Sequence, residues 1–233
     1  MTVQFPSSIS DAQRVSAHPG DISPPAQPSR SKGLYRNGLK RVMDVTLTLM
    51  AAPVVVPLVA VLALLVALDG HNPFYSQLRV GRNGKTFRMW KLRSMLYNAD
   101  ALLEAYLDEN PAARQEWDTT QKLKQDPRIT FFGRILRKTS MDELPQLLNV
   151  LNGTMSLVGP RPMMVCQKST YFGQGYYRLR PGITGPWQVS DRNNCYFTDR
   201  VKYDDDYEQS LSFSKDAELL FKTISVVTRG TGY

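Results

Sequence analysis

The longest apolar segment of the chain covers residues 45–68, VTLTLMAAPVVVPLVAVLALLVAL, and it contains no charged residue. A helix of about 20 such residues crosses the hydrocarbon core of a bilayer, and a soluble protein rarely buries so long and uniform a helix. Pro53 and Pro57 lie in the first half of the segment, where each removes a backbone hydrogen bond and crowds the preceding turn. The pattern therefore predicts a membrane-inserted helix over residues 37–70, with a bend near the prolines.

Basic residues flank this apolar segment on both sides. They are Arg30, Lys32, Arg36, Lys40 and Arg41 before it, and Arg79, Arg82, Lys85, Arg88, Lys91 and Arg93 after it. Because positively charged residues stay on the cytoplasmic side of a membrane, both flanks favour the same face. A bent helix that enters and leaves by that face satisfies both flanks, so we expect a re-entrant helix. The alternative is an ordinary kinked span, which would place the N-terminal tail outside.

After the apolar segment the pattern becomes that of a water-exposed domain over residues 71–233. The sequence FYSQLRVGRNGKTFRMWKLRSM alternates apolar and polar residues around Asn83-Gly84, which predicts two short strands joined by a tight turn. Apolar residues at helical spacing predict one helix over residues 95–110, stopped by a proline, and a final helix over about residues 215–228.

Residues 129–136 and their neighbours combine apolar and basic side chains. The set comprises Phe131, Phe132, Ile135 and Leu136 together with Arg128, Arg134, Arg137 and Lys138. Such a basic amphipathic segment fits an anionic membrane surface. It fits a half-buried helix packed on the core equally well, and the pattern does not choose between the two.

The first 36 residues differ in composition from the rest of the chain. They are rich in proline and serine and have hardly any apolar periodicity, so they cannot bury enough surface to offset the entropy lost on ordering. We expect a disordered tail over residues 1–36. The segment does not have the pattern of a secretory signal, because the apolar run begins too late and the first residues of the sequence carry no basic leader.

Charge and cysteine content restrict the classes of partner. The chain has 233 residues and a formal net charge of +8, which favours a polyanionic partner such as nucleic acid, anionic lipid or a phosphorylated substrate. No nucleic-acid-binding module is recognisable, and the long uncharged apolar segment argues against that class. Cys166 and Cys195 do not have metal-ligand spacing, and neither His18 nor His71 lies near them, so a zinc site is not expected.

Two adjacent carboxylates, Asp142 and Glu143, stand in the otherwise basic stretch KTSMDELPQ, residues 138–146. Ser140 and Glu143 have the spacing of a capping box, in which both side chains bond to backbone N–H groups at a helix start. On that interpretation the two acids complement the positive end of a helix. Taken alone, the pair favours this structural interpretation over a catalytic one.

Further motifs change that balance. They read KRVMDV, RVGRNGKTFRMWKLRSM, DPRIT, LRKTSMDELPQLLNVLNGTMSLVGPRP and LRPGITGPWQVSDRN. In these stretches the chain from Lys40 onward resembles the bacterial sugar transferases, which are monotopic polyprenyl-phosphate phosphoglycosyl transferases, and especially those that initiate exopolysaccharide synthesis. The resemblance implies a mixed α/β, predominantly helical fold. It comprises one N-terminal re-entrant helix in the bacterial inner membrane and a small domain that amphipathic helices hold at the cytoplasmic face.

The resemblance also implies a reaction. A sugar phosphate moves from a UDP-sugar, glucose or galactose being usual, to polyprenyl (undecaprenyl) phosphate, with release of UMP and with Mg²⁺ as cofactor. The family places the nucleophile on the first acid of its Asp-Glu pair, here Asp142, which would form an aspartyl-phosphosugar intermediate. Asp142 is also the expected Mg²⁺ ligand. Glu143 would orient the acceptor phosphate or accept its proton, and a homo-oligomer is compatible with the resemblance.

Other positions match the family's phosphate- or substrate-binding pattern. They are Arg137, Arg161, Lys91, Arg93 and Asp204. Arg161 stands between two prolines that fix its backbone, and a guanidinium held in this way can grip a phosphate. Without the resemblance, a surface arginine in a rigid turn is the favoured interpretation of Arg161. A solvated strand face explains Lys91 and Arg93 almost as well as a phosphate contact does.

The sequence departs from the family pattern at three positions. Ala52-Pro53 stands where Ser-Pro is common at the bend of the membrane helix, so no serine hydroxyl is available there. Thr154 and Asp191 replace a frequent aspartate and a frequent glycine. An inactive membrane-docked scaffold or binding protein of the same fold is therefore the alternative function.

Overall fold

The computed structural model describes residues 33–120, 123–190 and 199–228, and most of these residues are helical. The helices are α1 (Lys40–Val66), α2 (Ala99–Glu109), α3 (Pro111–Thr120), α4 (Phe131–Thr139), α5 (Gln146–Leu151), α6 (Gly175–Arg178), α7 (Arg200–Ser210) and α8 (Phe213–Thr228). The strands are β1 (Phe74–Val80), β2 (Thr86–Leu92), β3 (Ser156–Val158) and β4 (Gly182–Thr184). The mixed, predominantly helical class is confirmed.

The disordered tail was predicted over residues 1–36, and residues 1–32 of it lie outside the described part of the chain. Its C-terminal boundary was placed too late, because Tyr35–Leu39 forms a π-helical turn that leads directly into α1. The Tyr35 hydroxyl donates a 2.6 Å hydrogen bond to Asp216, and Arg36 Nη1 lies 2.6 Å from Glu208 Oε1. Partners far along the chain therefore fix Tyr35 and Arg36 in place.

Helix α1 contains the apolar segment and continues as one helix through Pro53 and Pro57. Within the described ranges, only this helix with its end turns, Tyr35–Asp69, is long and apolar enough to cross a membrane. Its buried residues are Asp44, Thr48, Leu62 and Ala63, which lie on one side of the helix. Its most exposed apolar residues are Met50, Val54 and Leu64, and Leu68 in the turn after the helix is also exposed. One side of α1 therefore packs on the domain, and the other presents an apolar face.

Both ends of α1 contact the same domain. Near the N-terminal end, Ser156 Oγ donates a 2.7 Å hydrogen bond to the buried Asp44 carboxylate. Near the C-terminal end, Leu62 lies in a core cluster with Leu92 and Leu136. The helix is thus held along the domain by a polar contact at one end and by apolar packing at the other.

The predicted hairpin is confirmed. Strands β1 and β2 pair antiparallel, with Phe74 opposite Leu92 and Val80 opposite Thr86. In the connection, Asn83 has a φ of 58°, a left-handed conformation that asparagine adopts more readily than most residues. One side of β2 contributes to a core cluster of Phe87, Met89, Val150 and Met155. This packing fixes the face of the hairpin that carries Lys91.

A second pair of strands, β3 and β4, is parallel, with Ser156 opposite Gly182 and Val158 opposite Thr184. A side chain is excluded at Gly182, because a Cβ there would lie 2.1 Å from the Gly159 nitrogen. The Pro160-Arg161-Pro162 segment therefore leaves β3 directly against the start of β4.

Two predicted helices are found with shifted starts, and α4 has the predicted amphipathic character. Helix α2 begins at Ala99 rather than residue 95 and ends at Glu109, before the proline, and α8 begins at Phe213 rather than residue 215.

In α4, Leu136 is buried and Phe131 is 74% exposed. The segment is therefore half-buried on the core and leaves part of its apolar face open, so both interpretations of the sequence retain support.

A buried carboxylate joins α8 to the rest of the domain. Asp216 has no exposed surface and accepts hydrogen bonds from the hydroxyls of Tyr35 (2.6 Å) and Tyr207 (2.5 Å). The ammonium of Lys40, in α1, lies 2.6 Å from Asp216 Oδ2. The apolar helix thus supplies the counter-charge of a buried acid in the C-terminal helix.

Candidate active site

Asp142 and Glu143 lie in a 3-10 turn, Met141–Glu143, between α4 and α5. Ser140 ends α4 in a left-handed conformation, with a φ of 57°, and its hydroxyl forms no capping hydrogen bond. The backbone N–H of Glu143 instead donates to the Ser140 carbonyl at 3.2 Å. The predicted capping box is therefore wrong, because Ser140 ends α4 and its side chain makes no capping bond to the 3-10 turn that follows.

Lys91 on strand β2 faces both acids. Its ammonium nitrogen lies 2.7 Å from Glu143 Oε1 and 3.4 Å from Asp142 Oδ2. Adjacent residues of a regular helix point about 100° apart. Here the 3-10 turn brings both carboxylates to one cation, so the pair and Lys91 form a single cluster.

Asp142 is the more buried of the two acids, with only 7% of its surface exposed. Burial raises the pKa of this carboxyl above its ordinary value, and Lys91 and Arg137 act in the opposite direction. A carboxylate with a raised pKa binds a proton, and by the same chemistry an electrophile, more strongly than an exposed one. The like charge of Glu143 raises the pKa of Asp142 further, so this carboxylate is more basic than an exposed one.

Arg137, in α4, is a second cation whose charge acts on Asp142. Its Nε donates a 2.8 Å hydrogen bond to Ser94 Oγ, and its charge interacts with that of Asp142. The guanidinium is half-buried and held by the hydrogen bond, so it adds a fixed positive charge near the carboxylate. Arg137 is not among the residues that line the cavity described next, so the phosphate contact expected from the sequence stays a prediction.

A cavity opens beside this cluster. Its polar lining comprises Arg79, Lys91, Arg161, Glu143, Gln146 and Gln188, and its remaining lining comprises Met89, Pro162, Gly182 and Ile183. In this lining three positive side chains face one carboxylate. The excess positive charge suits a phosphate or diphosphate, and it brings the predicted residues Lys91, Glu143 and Arg161 together.

Arg161 lies in the segment that follows β3, and several contacts hold that segment in place. Arg200, on α7, donates a hydrogen bond from Nη2 to the Arg161 carbonyl. The guanidinium carbons of Arg161 and Arg200 lie 5.7 and 5.4 Å from the ring centre of Trp187, as cation–π contacts. Arg79 Nη1 donates to the Pro162 carbonyl at 3.3 Å. These contacts fix the backbone around Arg161 while its side chain lines the cavity.

Asp204 is placed differently from the expectation. It has no exposed surface, so it does not offer a direct contact to a substrate in this structure. The Tyr171 hydroxyl donates to its Oδ2 at 2.7 Å, and Arg200 interacts with its charge. Burial raises the pKa of Asp204 to about 6. Asp204 is therefore a buried counter-charge for Arg200, which in turn bonds to the Arg161 carbonyl.

Arg93 also lies outside the cavity lining. Its guanidinium bonds to both oxygens of Asp69 at 2.6 and 2.7 Å and to the Val66 carbonyl at 3.2 Å. These partners belong to the C-terminal end of the apolar helix. The structure therefore assigns Arg93 to fixing that helix end, in place of the phosphate contact expected from the sequence.

Thr154 and Asp191 depart from the family pattern after the membrane helix. The structure describes Thr154, whereas Asp191 lies outside the described residues. The Thr154 hydroxyl donates to Asn152 Oδ1 at 2.7 Å and accepts from Asn149 Nδ2 at 3.1 Å. Thr154 does not line the cavity beside Lys91. Its hydroxyl stabilises the turn before β3.

Sequence reasoning missed Arg79, Gln146 and Gln188 as cavity residues. Arg79 was counted only among the flanking charges, although it stands in the RVGRNGKT stretch that resembles the family. Gln146 closes the DELPQ motif, and Gln188 lies within GPWQVS. All three residues lie in motifs that resemble the family, and this was the sign that could have identified them. A glutamine carries no charge, however, so it does not stand out in a sequence as a functional residue.

The residues present fit a Mg²⁺ ion only together with a substrate. No group of three or more His, Cys, Asp and Glu side chains that could hold a metal ion occurs in the described parts of the chain. Mg²⁺ is commonly bound by one or two carboxylates, by substrate phosphates and by water. Glu143 lines the cavity and Asp142 shares the Lys91 ammonium with it, so these two acids are the carboxylates available there.

A sequence model of the bacterial sugar transferase family matches residues 35–230, and the chain belongs to this family. Over 196 residues it is 45% identical to the UDP-galactose-lipid carrier transferase of Erwinia amylovora, covering 83% of this chain and 41% of that protein. It is 44% identical over 196 residues to the exopolysaccharide production protein ExoY of Sinorhizobium fredii, covering 83% of this chain and 87% of that protein. It is also 45% identical over 196 residues to the undecaprenyl-phosphate galactose phosphotransferase of Salmonella typhimurium, covering 83% and 41% respectively. The chain thus spans about two fifths of the Erwinia and Salmonella proteins and most of ExoY.

Proposed function

We propose that the protein is a phosphoglycosyl transferase that moves a sugar phosphate from a UDP-sugar to polyprenyl phosphate, releasing UMP. The observation that carries the proposal is the buried carboxylate of Asp142, 3.4 Å from the ammonium of Lys91. Lys91 lines the cavity together with Arg79 and Arg161, whereas Asp142 lies behind Lys91 and is not part of the lining. The names of the relatives support the same reaction class. One of them, 35% identical over 197 residues, is the UDP-glucose:undecaprenyl-phosphate glucose-1-phosphate transferase of Escherichia coli.

In the first step a carboxylate oxygen of Asp142 attacks the phosphorus that carries the sugar. A bond forms between that oxygen and phosphorus, the phosphoanhydride bond breaks, and UMP leaves with the electron pair. The product is an acyl phosphate between Asp142 and the sugar phosphate. Arg79, Lys91 and Arg161 line the cavity with the positive charge that neutralises the diphosphate as it rearranges.

In the second step a phosphate oxygen of the polyprenyl phosphate attacks the same phosphorus. The bond to Asp142 breaks, the carboxylate is restored, and polyprenyl diphosphate sugar is released. Glu143 shares Lys91 with Asp142, so it lies where it can orient the acceptor phosphate or take its proton. Arg137, fixed by Ser94, keeps a positive charge beside Asp142 in both steps.

When bound, Mg²⁺ would neutralise the diphosphate and stabilise charge on the leaving UMP. Asp142 and Glu143 are the residues that would hold it, together with the substrate phosphates. Lys91 competes for the same two carboxylates in the absence of substrate, since its ammonium contacts both of them.

The position of α1 supports a re-entrant membrane helix. Asp44 and Leu62 are 18 residues apart, which corresponds to about 27 Å along a straight helix. Both residues are buried against one domain. If α1 crossed the bilayer, the polar domain that contacts both ends would have to enter the hydrocarbon core, where its charges are costly. The helix therefore lies with its open apolar face in the lipid and with both ends on the cytoplasmic side of the bacterial inner membrane.

The experiment that tests the reaction follows UMP release by the purified full chain in detergent, with UDP-glucose or UDP-galactose, undecaprenyl phosphate and Mg²⁺. We expect release with at least one donor, and none from Asp142→Asn. Asp206→Asn is the matched control, because Asp206 is an exposed acid on α7. Unchanged release by Asp142→Asn would end the nucleophile assignment, and no release by the unaltered protein with any UDP-sugar would favour the scaffold alternative.

A further inference from the structure

Two carboxamide side chains line the cavity beside the charged groups. Gln146 is the first residue of α5 and is 2% exposed, and Gln188 lies in the loop after β4 and is 7% exposed. Neither side chain takes part in the steps described above. Each carboxamide can donate two hydrogen bonds and accept others without adding charge.

The amide of Gln188 has unmet hydrogen-bonding capacity. Its Nε2 and Oε1 are both buried, and neither has a hydrogen-bond partner among the residues that the structure describes. Leaving a buried donor or acceptor unpaired costs about 1–3 kcal/mol, so such groups are rare and call for a partner such as a ligand or a water molecule. The wall of the cavity therefore offers a donor and an acceptor side by side.

The backbone holds this amide in a fixed place. The Val189 N–H donates to the Gly185 carbonyl at 3.2 Å, which closes a turn around Gln188. A Cβ on Gly185 would lie 1.9 Å from the Gly159 carbonyl oxygen and 3.1 Å from Gln188 Oε1. The turn is thus pressed onto the end of β3, and Gly185 leaves the space beside the amide open.

A neutral donor and acceptor pair suits hydroxyl groups better than phosphate, which the arginines and Lys91 already serve. In a UDP-sugar the hexose is attached directly to the reacting phosphorus, whereas uracil is separated from it by a second phosphate and the ribose. The cavity is small and partly open to solvent, and Glu143 lines it together with Gln188. The group that reaches Gln188 within so small a space is therefore the hexose.

We propose that Gln188, with Gln146, forms the subsite that binds hexose hydroxyl groups of the donor and so determines which sugar is transferred. The inference rests on the proposed transferase function and adds to it the residues that recognise the sugar. Vicinal hydroxyls of a hexose offer a donor and an acceptor at the separation that one carboxamide can span. A site built to hydrogen-bond a hydroxyl discriminates strongly against a substrate that lacks it.

The test uses Gln188→Met, which keeps the length of the side chain and removes its hydrogen bonds. Gln209→Met is the matched control, since Gln209 is exposed on α7. Each protein is assayed for kcat/KM with the UDP-hexose that the unaltered protein uses and with analogues of it that lack one hydroxyl each. Calorimetry gives the Kd of each protein for UMP, and for the UDP-hexose without acceptor.

We expect Gln188→Met to lower kcat/KM for the full UDP-hexose about tenfold. It should have little further effect on the one analogue that lacks the bonded hydroxyl, and it should leave the Kd of UMP unchanged. Equal losses on every analogue would indicate a merely structural role and overturn the inference. A matching loss of UMP affinity would assign the amide to the nucleoside and overturn it as well.

The binding measurements separate this inference from the proposed function. If the unaltered protein binds UDP-hexose but releases no UMP, the transferase proposal fails, and the Kd for UDP-hexose relative to UMP still decides the role of Gln188. If Gln188→Met does not fold, as judged by thermal unfolding, Gln146→Met is measured in its place. Its effect should likewise be confined to one hydroxyl, and a uniform loss there would overturn the shared subsite.

Discussion

The Lys91 ammonium on strand β2 lies 3.4 Å from Oδ2 of Asp142, in the turn after α4. The two residues are 51 positions apart in the chain, and the contact joins the hairpin to the segment that carries both acids. Burial and Lys91 act on the Asp142 pKa in opposite directions, with burial the larger effect.

The first prediction concerns the pH dependence of the reaction. Lys91 lowers the pKa of Asp142, so Lys91→Met should raise that pKa further, and the acidic limb of the kcat/KM profile should move to higher pH. Loss of a fixed cation at the diphosphate should also lower the maximal kcat/KM by about 100-fold. UMP release measured across the pH range checks both effects.

Lys85→Met is the control for this variant, because Lys85 is an exposed lysine in the hairpin connection. It should leave the acidic limb where it is. A Lys91→Met profile with the same acidic limb as the unaltered protein would contradict the electrostatic coupling of Lys91 to Asp142.

The second prediction concerns stability. The folded-state pKa of Asp142 is raised, so the folded protein favours the protonated form, and the charged carboxylate destabilises it increasingly as the pH rises through that pKa. Asp142→Asn should therefore raise the Tm by a few degrees at neutral pH and lose this advantage in acid. Thermal unfolding in detergent at several pH values measures the difference, with Asp206→Asn as the comparison. A lower Tm for Asp142→Asn at neutral pH would show that its contact with Lys91 outweighs burial.

The third prediction concerns the support behind Arg161. The Tyr171 hydroxyl donates to Asp204 and lowers its pKa, while burial raises the pKa to about 6. Tyr171→Phe removes a hydrogen bond to a buried carboxylate, which should destabilise the protein by about 1–3 kcal/mol when Asp204 is charged. The loss should be larger above pH 6 than below it, because the protonated acid needs the donor less.

Chemical denaturation at two pH values, one on each side of this pKa, tests the effect of Tyr171→Phe. Tyr177→Phe is the matched control, since Tyr177 packs against the Tyr171 ring and has no contact with Asp204 among the described hydrogen bonds. Equal destabilisation by Tyr171→Phe at both pH values would remove Asp204 from the explanation.

The fourth prediction concerns the membrane helix. If α1 is re-entrant, residues on both sides of it lie on the cytoplasmic face. Single cysteines at Asn37 and His71, in a Cys166→Ser and Cys195→Ser background, should both react with an impermeant maleimide in inverted membrane vesicles and not in intact spheroplasts. Reaction of the Asn37 position in spheroplasts alone would instead indicate a helix that spans the membrane.

The sequence predicted the elements whose signals are local. The uncharged run that became α1, the alternation around Asn83-Gly84 and the stripe of α8 depend on neighbouring residues, so their existence was predictable and their ends were less so. The Ser140-x-x-Glu143 spacing led to a wrong prediction of a capping box. The same spacing occurs where a left-handed residue separates α4 from the turn that follows it. The spacing of two residues does not show whether a helix already precedes the first of them.

The site was predictable only in part, for a different reason. Asp142, Glu143 and Arg161 were found through their motifs, and the structure brings Lys91, Glu143 and Arg161 to one cavity. Arg79 and Gln188 reach the same cavity from positions more than 100 residues apart. Arg93, two residues after Lys91, bonds instead to the end of α1. Which basic residues of an alternating strand face a cavity depends on tertiary packing, and the motif alone does not contain that information.

The Lys40 contact with Asp216 has a practical consequence for anyone seeking a water-soluble form of this enzyme. Deleting α1 to avoid detergent would also delete the ammonium that neutralises a carboxylate with no exposed surface. Losing one partner of a buried ion pair destabilises a protein by about 3–5 kcal/mol, a large share of the stability of an ordinary domain. Truncation at residue 70 should therefore yield an aggregating fragment, and Asp216→Asn is the substitution to combine with it.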